Sequence, residues 1–159
     1  MNDASVPPPA DPPTATALQL FVVLNRALAA VHAHTRVDIE AHGLTVGEFA
    51  ILEALYHKGP LLLGDLQRRI LVSSGGTTFL VDRLEERGLV ERQRCPSDRR
   101  ARYAALTPEG TALIARIFPG HAEAIRRAMS GLGLADQRTA IALLKTLGVE
   151  AAALPITGS

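Results

Sequence analysis

The chain has 159 residues, of which 47% are hydrophobic and 21% charged, with a formal net charge of +1. This length and composition predict one folded domain and exclude an intrinsically disordered chain. The longest apolar runs, such as residues 20–24, fall far short of the ~20 residues that a membrane span needs, and the N-terminus lacks the apolar core of a secretory signal. Cys95 is the only cysteine, which rules out an internal disulfide. We therefore expect a cytoplasmic protein without a membrane partner.

Positive charge is concentrated in the middle of the chain. Residues 1–60 carry a net charge of −3, whereas residues 61–102 carry nine arginines and a net charge of +3. Of the 17 basic residues, 15 are arginines, the side chain suited to forked contacts with phosphates and base edges. A GC-rich genome would also enrich arginine, so composition alone leaves both explanations open.

Proline content and apolar periodicity organise the first part of the chain. Residues 1–13 contain five prolines and predict a disordered arm. Apolar residues at helical spacing predict a long helix over residues 14–43. A second helix is expected to begin at a capping box, with Thr45 as the N-cap, and to end at Gly59.

Two shorter helices and a hairpin are predicted next. The first short helix lies within residues 61–72, and the second spans residues 73–87 with Gly88 as its C′ residue. Residues 89–94 and 101–106 are extended candidates, joined by a charged, turn-rich connection. They predict a hairpin with a basic tip.

The C-terminal part is predicted to be helical. The dipeptide Thr107-Pro108 is typical of a helix start, and this helix should run toward Ser130, with a kink or break at Pro119. A last amphipathic helix is expected over residues 136–147, ending at Gly148.

Helices followed by a basic hairpin form the plan of a winged helix-turn-helix, in which one helix fits the major groove of DNA and the hairpin reaches phosphates or the minor groove. The predicted fold is therefore mainly α with a minor β component. Its DNA-binding lobe covers residues 44–107. The flanking helices cover residues 14–43 and 108–150, and residues 151–159 form a tail.

Residues 73–87 form the predicted recognition helix. Its first turn consists of small and hydroxyl-bearing residues, which permit close approach to DNA and offer hydroxyl and N–H groups to phosphates and base edges. The candidate contacts are Ser73, Ser74, Gly75, Gly76, Thr77, Thr78 and Arg83. A loop that precedes a helix with a later start is the alternative interpretation, because glycine is a weak helix former.

The hairpin carries the strongest charge signal, with five arginines and one acid over residues 92–102. The candidate DNA contacts here are Arg94, Arg99, Arg100 and Arg102. Asp98 is expected to orient a neighbouring arginine, such as Arg100 or Arg83, because a carboxylate at a DNA surface needs a cationic partner. A solvated surface hairpin is the alternative.

Four motifs lie between Leu44 and Gly110: LTVGEFAILEAL, GDLQRRILVSSGGTTFLVDRLEERGLVER, the wing pair Asp98-x-Arg100, and LTPEG. Together they resemble the MarR family of bacterial transcriptional regulators. The resemblance implies a homodimer that entwines its terminal helices, binds a pseudo-palindromic operator of double-stranded DNA, and represses its own or neighbouring genes.

The resemblance also implies contact positions. It places Ser74, Gly76, Thr77 and Thr78 on the recognition helix and Arg99 and Arg100 at the wing tip. Phe79 departs from the family pattern, since many relatives have an arginine or another polar residue there. Readout at this position is then either an apolar contact with a thymine methyl group or absent.

Composition supports the dimer independently of the resemblance. The helices at both ends are rich in leucine, isoleucine, valine and alanine, more than a small lobe could bury alone. A second copy of the chain would cover that surface. An ordinary intramolecular bundle is the alternative.

Members of the MarR family are often released from DNA by a small aromatic or phenolic ligand, bound where the dimer helices meet the winged lobe. Here the resemblance implies a corner lined by Leu28, His32, Phe49 and Glu53. Redox sensing at Cys95 is an alternative, because surrounding arginines favour the reactive thiolate. An incidental cysteine is the favoured interpretation, since oxidant-sensing relatives carry theirs near the N-terminal helix.

The sequence does not indicate an enzyme. It lacks a Walker loop, a Rossmann glycine fingerprint, a nucleophile elbow and an HExxH pair, so we expect no catalytic residue and no cofactor. The five histidines lack the spacing of a zinc site, and no metal is expected. A winged helix that contacts an acidic protein partner remains as an alternative to DNA binding.

Overall fold

The computed structural model describes residues 11–70, 74–94 and 102–155, apart from the side chains of residues 74 and 75. In chain order the elements are α1 (Pro12–Ala41), α2 (Val46–Lys58), β1 (Leu61–Leu62), α3 (Leu63–Ile70), α4 (Ser74–Glu86), β2 (Val90–Arg94), β3 (Arg102–Leu106), α5 (Pro108–Ala128) and α6 (Leu134–Ala153). The prediction of a mainly helical fold with a small antiparallel sheet is confirmed.

The ends of α2 form as the sequence predicts. The Thr45 hydroxyl accepts a hydrogen bond from the backbone N–H of Glu48 at 3.2 Å, and Glu48 Oε2 accepts one from the Thr45 N–H at 2.8 Å. These reciprocal bonds satisfy N–H groups that have no partner within the helix. Gly59 follows α2 with φ of 73°, a left-handed conformation that favours glycine.

The sheet has the order β1-β3-β2, and its strands are antiparallel. β1 is a two-residue strand that pairs Leu61 with Ala104 and Leu62 with Tyr103. The sequence did not predict it, because two residues are too few for a period of alternation. β1 attaches the start of α3 to the base of the hairpin, so the wing and the helix pair form one unit.

The winged lobe has its own hydrophobic core. Its helices and strands contribute side chains that are almost completely excluded from solvent: Ile51, Leu52, Leu55, Leu66, Val81, Leu84, Val90 and Ala104. Ile114 and Ile117 of α5 join the same cluster. The start of α5 is fastened to the turn after α4, because Thr107 Oγ1 donates to the Gly88 carbonyl at 2.6 Å and accepts from the Gly110 N–H at 3.0 Å.

Several predicted helix bounds differ from the structure. α1 begins at Pro12 rather than residue 14, since proline is tolerated in the first helical turn. α5 continues through Pro119 as one helix, so the helix does not break there, and the alternative of a kink stays a prediction. α6 spans Leu134–Ala153 and passes through Gly148, where the helix tolerates a residue of low helix propensity.

The terminal helices differ from the lobe in burial. No residue of α6 is buried, although the structure describes the whole helix. In α1 only Thr35 and Ile39 are buried. By length and composition alone, α1 is long and apolar enough to cross a membrane. The length of the apolar runs did not predict this, because polar residues divide the apolar sequence of α1 into short runs.

Candidate nucleic-acid interface

Helix α4 occupies the place of the predicted recognition helix. It begins at Ser74 and includes Gly75 and Gly76, so the alternative of a helix with a later start is wrong. The turn that follows α4 contains Gly88 at φ of 68°, as the C′ prediction required. Ser73 lies outside the described residues.

Burial divides α4 into two faces. Thr77, Val81 and Leu84 follow one another at spacings of four and three residues and face the core. Thr77 is a correction to the predicted contact set: it is only 2% exposed, because it extends the apolar stripe of α4 by one turn. Its side chain cannot reach a base edge from this position. Thr78 and Phe79 are exposed, and Phe79 retains 58% of its accessible surface.

A buried carboxylate joins α2 to the recognition helix. The side chain of Glu48 is 1% exposed, and its Oε1 lies 3.4 Å from Arg83 Nε and 3.4 Å from Arg87 Nη1. Burial raises the pKa of Glu48, but hydrogen bonds from Thr45 and the charges of both arginines outweigh burial and leave this pKa below its ordinary value of 4.5. Glu48 is therefore negatively charged at neutral pH.

Close approach of the two helices makes this contact possible. A Cβ atom at Gly47 would lie 2.7 Å from Leu80 Cδ1 of α4, so the absent side chain brings the start of α2 against α4. Arg87 also donates a hydrogen bond to the Gly43 carbonyl at 3.2 Å. The turn at the end of the recognition helix is thus fastened to the turn between α1 and α2.

A second charge cluster holds the wing against α4. Arg92 of β2 donates to Asp82 Oδ1 at 2.5 Å and to Glu85, both on α4. Burial lowers the pKa of Arg92, but its bonds to these two acids raise the pKa by more, so the guanidinium stays protonated. Arg92 is therefore neutralised within the chain. No local pattern predicts these ion pairs, because the two partners lie seven and ten residues away.

The base of the wing concentrates like charges. Arg94 and Arg102 are directly opposite in the register of β2 and β3. Of the other predicted wing residues, Cys95, Asp98, Arg99 and Arg100 lie outside the described residues, as does the expected orienting role of Asp98.

The four candidate effector residues lie in different places within one chain. His32 lines a cavity of about 290 Å³ beside α1, together with Thr35, Arg36 and Val46. Glu53 lines a different groove of about 380 Å³ between α2 and α3. Leu28 is exposed. Phe49 is buried, and its ring centroid lies 4.2 Å from that of His121.

His121 is a polar core residue that the sequence did not single out. It is buried between α5, α1 and α2, and its Nδ1 lies 3.5 Å from Asp38 Oδ2 without meeting the geometry of a hydrogen bond. Among the residues that the structure describes, no group of three histidine, cysteine or acidic side chains could hold a metal ion.

Comparisons with known proteins find a matching family model and similar sequences. A family model described as "MarR family" matches residues 44–101. The chain is 40% identical over 138 residues to the HTH-type transcriptional regulator MhqR of Bacillus subtilis, which covers 87% of this chain and 95% of that protein.

Two solved structures share the fold of this chain and also more than a quarter of its aligned residues. BpsR of Bordetella bronchiseptica, whose DNA binding is regulated by 6-hydroxynicotinic acid, has a TM-score of 0.74 and 27% identity, covering 82% of this chain and 98% of that chain. NadR in complex with 4-hydroxyphenylacetate has a TM-score of 0.67 and 26% identity, covering 84% of this chain and 92% of that chain.

Proposed function

The chain belongs to the MarR family of transcriptional regulators, and we propose that it is a homodimeric repressor that leaves a pseudo-palindromic operator when a small aromatic ligand binds. It is a DNA-binding regulator and not an enzyme. The observation that carries the proposal is the surface formed by the outer face of α4 and the base of the wing, where Arg83, Arg94 and Arg102 lie on elements that one core holds together.

The proposed DNA contacts are those of the sequence prediction without Thr77: Ser73, Ser74, Gly75, Gly76, Thr78, Arg83, Arg94, Arg99, Arg100 and Arg102. The first turn of α4 presents small residues to the major groove, where close approach and hydroxyl groups are useful. The wing arginines supply charge that binds phosphate without regard to sequence.

The dimer is supported by what a single chain leaves exposed. Large apolar side chains on both terminal helices face solvent, among them Phe21, Val23, Leu134, Ile141, Leu143 and Leu144. A second copy accounts for this surface better than a bilayer does, because Arg26 lies in the middle of α1 and a charge there is expensive inside a membrane. A dimer with two winged lobes would match a two-fold related operator in the cytoplasm.

The ligand class is inferred from neighbours. The two similar regulators respond to or bind hydroxylated aromatic carboxylic acids. In this chain the cavity with His32 opens beside α1, the helix that we assign to the dimer, so a second copy would help to enclose it. Leu28, Phe49 and Glu53 stay as further candidate lining residues.

One titration tests the proposal. The purified protein is added to a fluorescent duplex from upstream of its own gene, at 50 mM and 200 mM salt, with an unrelated duplex as competitor. We expect selective binding that weakens steeply with salt, and release by 4-hydroxyphenylacetate or 6-hydroxynicotinate. A winged helix that serves only protein contacts would show neither selectivity nor this salt dependence.

A further inference from the structure

The starting observation is that one buried carboxylate serves two helices. Glu48 Oε2 completes the capping box of α2, while its Oε1 faces Arg83 of α4 and Arg87 of the turn that follows α4. The capping role needs only a hydrogen-bond acceptor, which glutamine also provides. The negative charge of Glu48 is therefore available to do something else, namely to hold the two arginines.

The two arginines differ in what else they touch. Arg87 is tied a second time, through its bond to the Gly43 carbonyl, and so belongs to the support of the lobe. Arg83 instead reaches outward. Its side chain is 45% exposed, and its guanidinium carbon lies 5.9 Å from the centroid of the Phe79 ring, within the range of a cation–π contact.

Phe79 lies outside the hydrophobic core cluster of the lobe and keeps 58% of its surface exposed. The inner face of α4 is occupied by Thr77, Val81 and Leu84, and Phe79 lies outside this stripe. It stands one turn before Arg83, so the two side chains share the outer face of the helix. An exposed phenyl ring in the first half of a recognition helix is suited to one feature of the major groove, the methyl group of thymine.

We propose that Glu48 is a positioning residue for DNA recognition, whose buried carboxylate fixes Arg83 and thereby holds the Phe79 ring against a thymine methyl group in each half-site. The three residues form one line from the core to the surface: carboxylate, guanidinium and ring. The inference rests on the proposed function, since it requires α4 to enter the major groove. It adds to that function the base that is recognised, thymine, and a residue remote from DNA, Glu48, that orients the Phe79 ring.

The test measures how much the methyl group of each thymine contributes to DNA affinity. Wild-type protein selects its preferred duplex from a random-sequence pool, and each thymine of that duplex is then replaced in turn by deoxyuridine, which removes only the 5-methyl group. We expect one thymine per half-site at which the replacement weakens binding by ~4-fold, the effect of losing one buried methyl-sized group. Phe79→Ala should bind both duplexes equally.

The positioning role is tested by Glu48→Gln, which keeps the cap and removes the charge. The thymine-to-deoxyuridine affinity ratio should fall from ~4 toward 1, and the double variant with Phe79→Ala should have the same ratio as Phe79→Ala alone. Glu40→Gln is the matched control, because it removes the same charge from an exposed ion pair on α1 and should leave the ratio unchanged. Arg83→Lys keeps the positive charge but removes the guanidinium group that lies between Glu48 and the Phe79 ring, so it should also lower the ratio.

The outcomes separate the hypotheses. If both Glu48→Gln and Arg83→Lys melt earlier but keep the wild-type ratio, Glu48 has only a structural role and the positioning proposal is overturned. If wild type binds its selected duplex but ignores every thymine replacement, or selects a site without thymine, the methyl contact is overturned while the proposed function stands. If wild type selects no duplex, the proposed function itself fails.

Discussion

The winged lobe and the terminal helices solve the burial of apolar side chains in opposite ways. In the lobe, Val81 and Leu84 of α4 are completely buried within the chain that carries them. On α6, Ile141 and Leu144 are about half exposed, and no residue of that helix is buried. The lobe therefore buries its apolar core within one copy, whereas the terminal helices leave a large apolar surface exposed, which is the surface that the proposed dimer would cover.

The two regions are joined through α5. Its first turns belong to the lobe, where Gly110 and Ile114 are buried, and its later turns pack against α1 near Asp38 and His121. A shift of α1 against a second copy would therefore reach the lobe through a packed element. If the protein is the ligand-responsive dimer that we propose, this packed element is the route by which a ligand beside α1 would change the spacing of the two recognition helices.

The largest effect is expected from a substitution that disrupts the exposed apolar surface of α6 and leaves the winged lobe intact. Leu144→Glu places a charge on the exposed apolar side of α6, and we expect a monomer with a folded lobe. Because two half-sites then bind independently, affinity for the operator should fall by roughly 10² to 10⁴-fold. Analytical ultracentrifugation and fluorescence anisotropy measure the two quantities.

The control for that variant is Thr146→Glu, which adds the same charge about 200° around the helix. It should stay dimeric and bind the operator as wild type does. A dimeric Leu144→Glu protein with normal affinity would contradict the assignment of α6 to the interface.

A substitution inside the lobe should instead destabilise it. A Cβ at Gly110 would lie 1.9 Å from the Leu89 carbonyl oxygen, and neither backbone segment can move without disturbing the Thr107 bonds. Gly110→Ala should lower the free energy of unfolding by ~3 kcal/mol, measured by urea denaturation. Gly64→Ala is the matched control, since its nearest new neighbour is an arginine tip at 3.9 Å, and this variant should be at least as stable as wild type.

A smaller effect is expected at the wing. Arg94→Ala should weaken binding to specific and unrelated duplexes alike, and should reduce the slope of log affinity against log salt by about 0.9 if Arg94 contacts one phosphate. Arg126→Ala removes an equal charge from α5, where Glu123 pairs with it, and should leave the slope unchanged. A change of sequence preference in Arg94→Ala would show that the wing reads bases.

The smallest effect is a dependence of the free energy of unfolding of the lobe on pH. The pKa of Glu48 in the folded protein is below its ordinary value of 4.5, so its contribution to stability is present above that pH and is lost as the pH falls through the folded value. The difference in unfolding free energy between wild type and Glu48→Gln should therefore shrink as the pH falls below about 4.5. Urea denaturation at pH 7 and pH 3.5 measures this difference.

Local signals predicted a large part of the lobe. The capping box at Thr45 and the left-handed turn at Gly88 each depend on a few neighbouring residues, and both form as expected. Contacts between distant parts of the chain were missed. β1 exists only because β3 lies beside it, and Arg92 is paired only because the hairpin folds back onto α4.

The sequence by itself determined the family, the order of the helices and of the hairpin, and the ends of α2, because helix capping, apolar periodicity and motif spacing are properties of short segments. Tertiary structure alone decided which side of α4 faces outward. It placed Thr77 in the core and left Phe79 exposed, although both lie in the same polar-to-apolar transition of the sequence. The physical reason is that a helix has one rotation about its axis, and packing against α2 and α3 fixes that rotation.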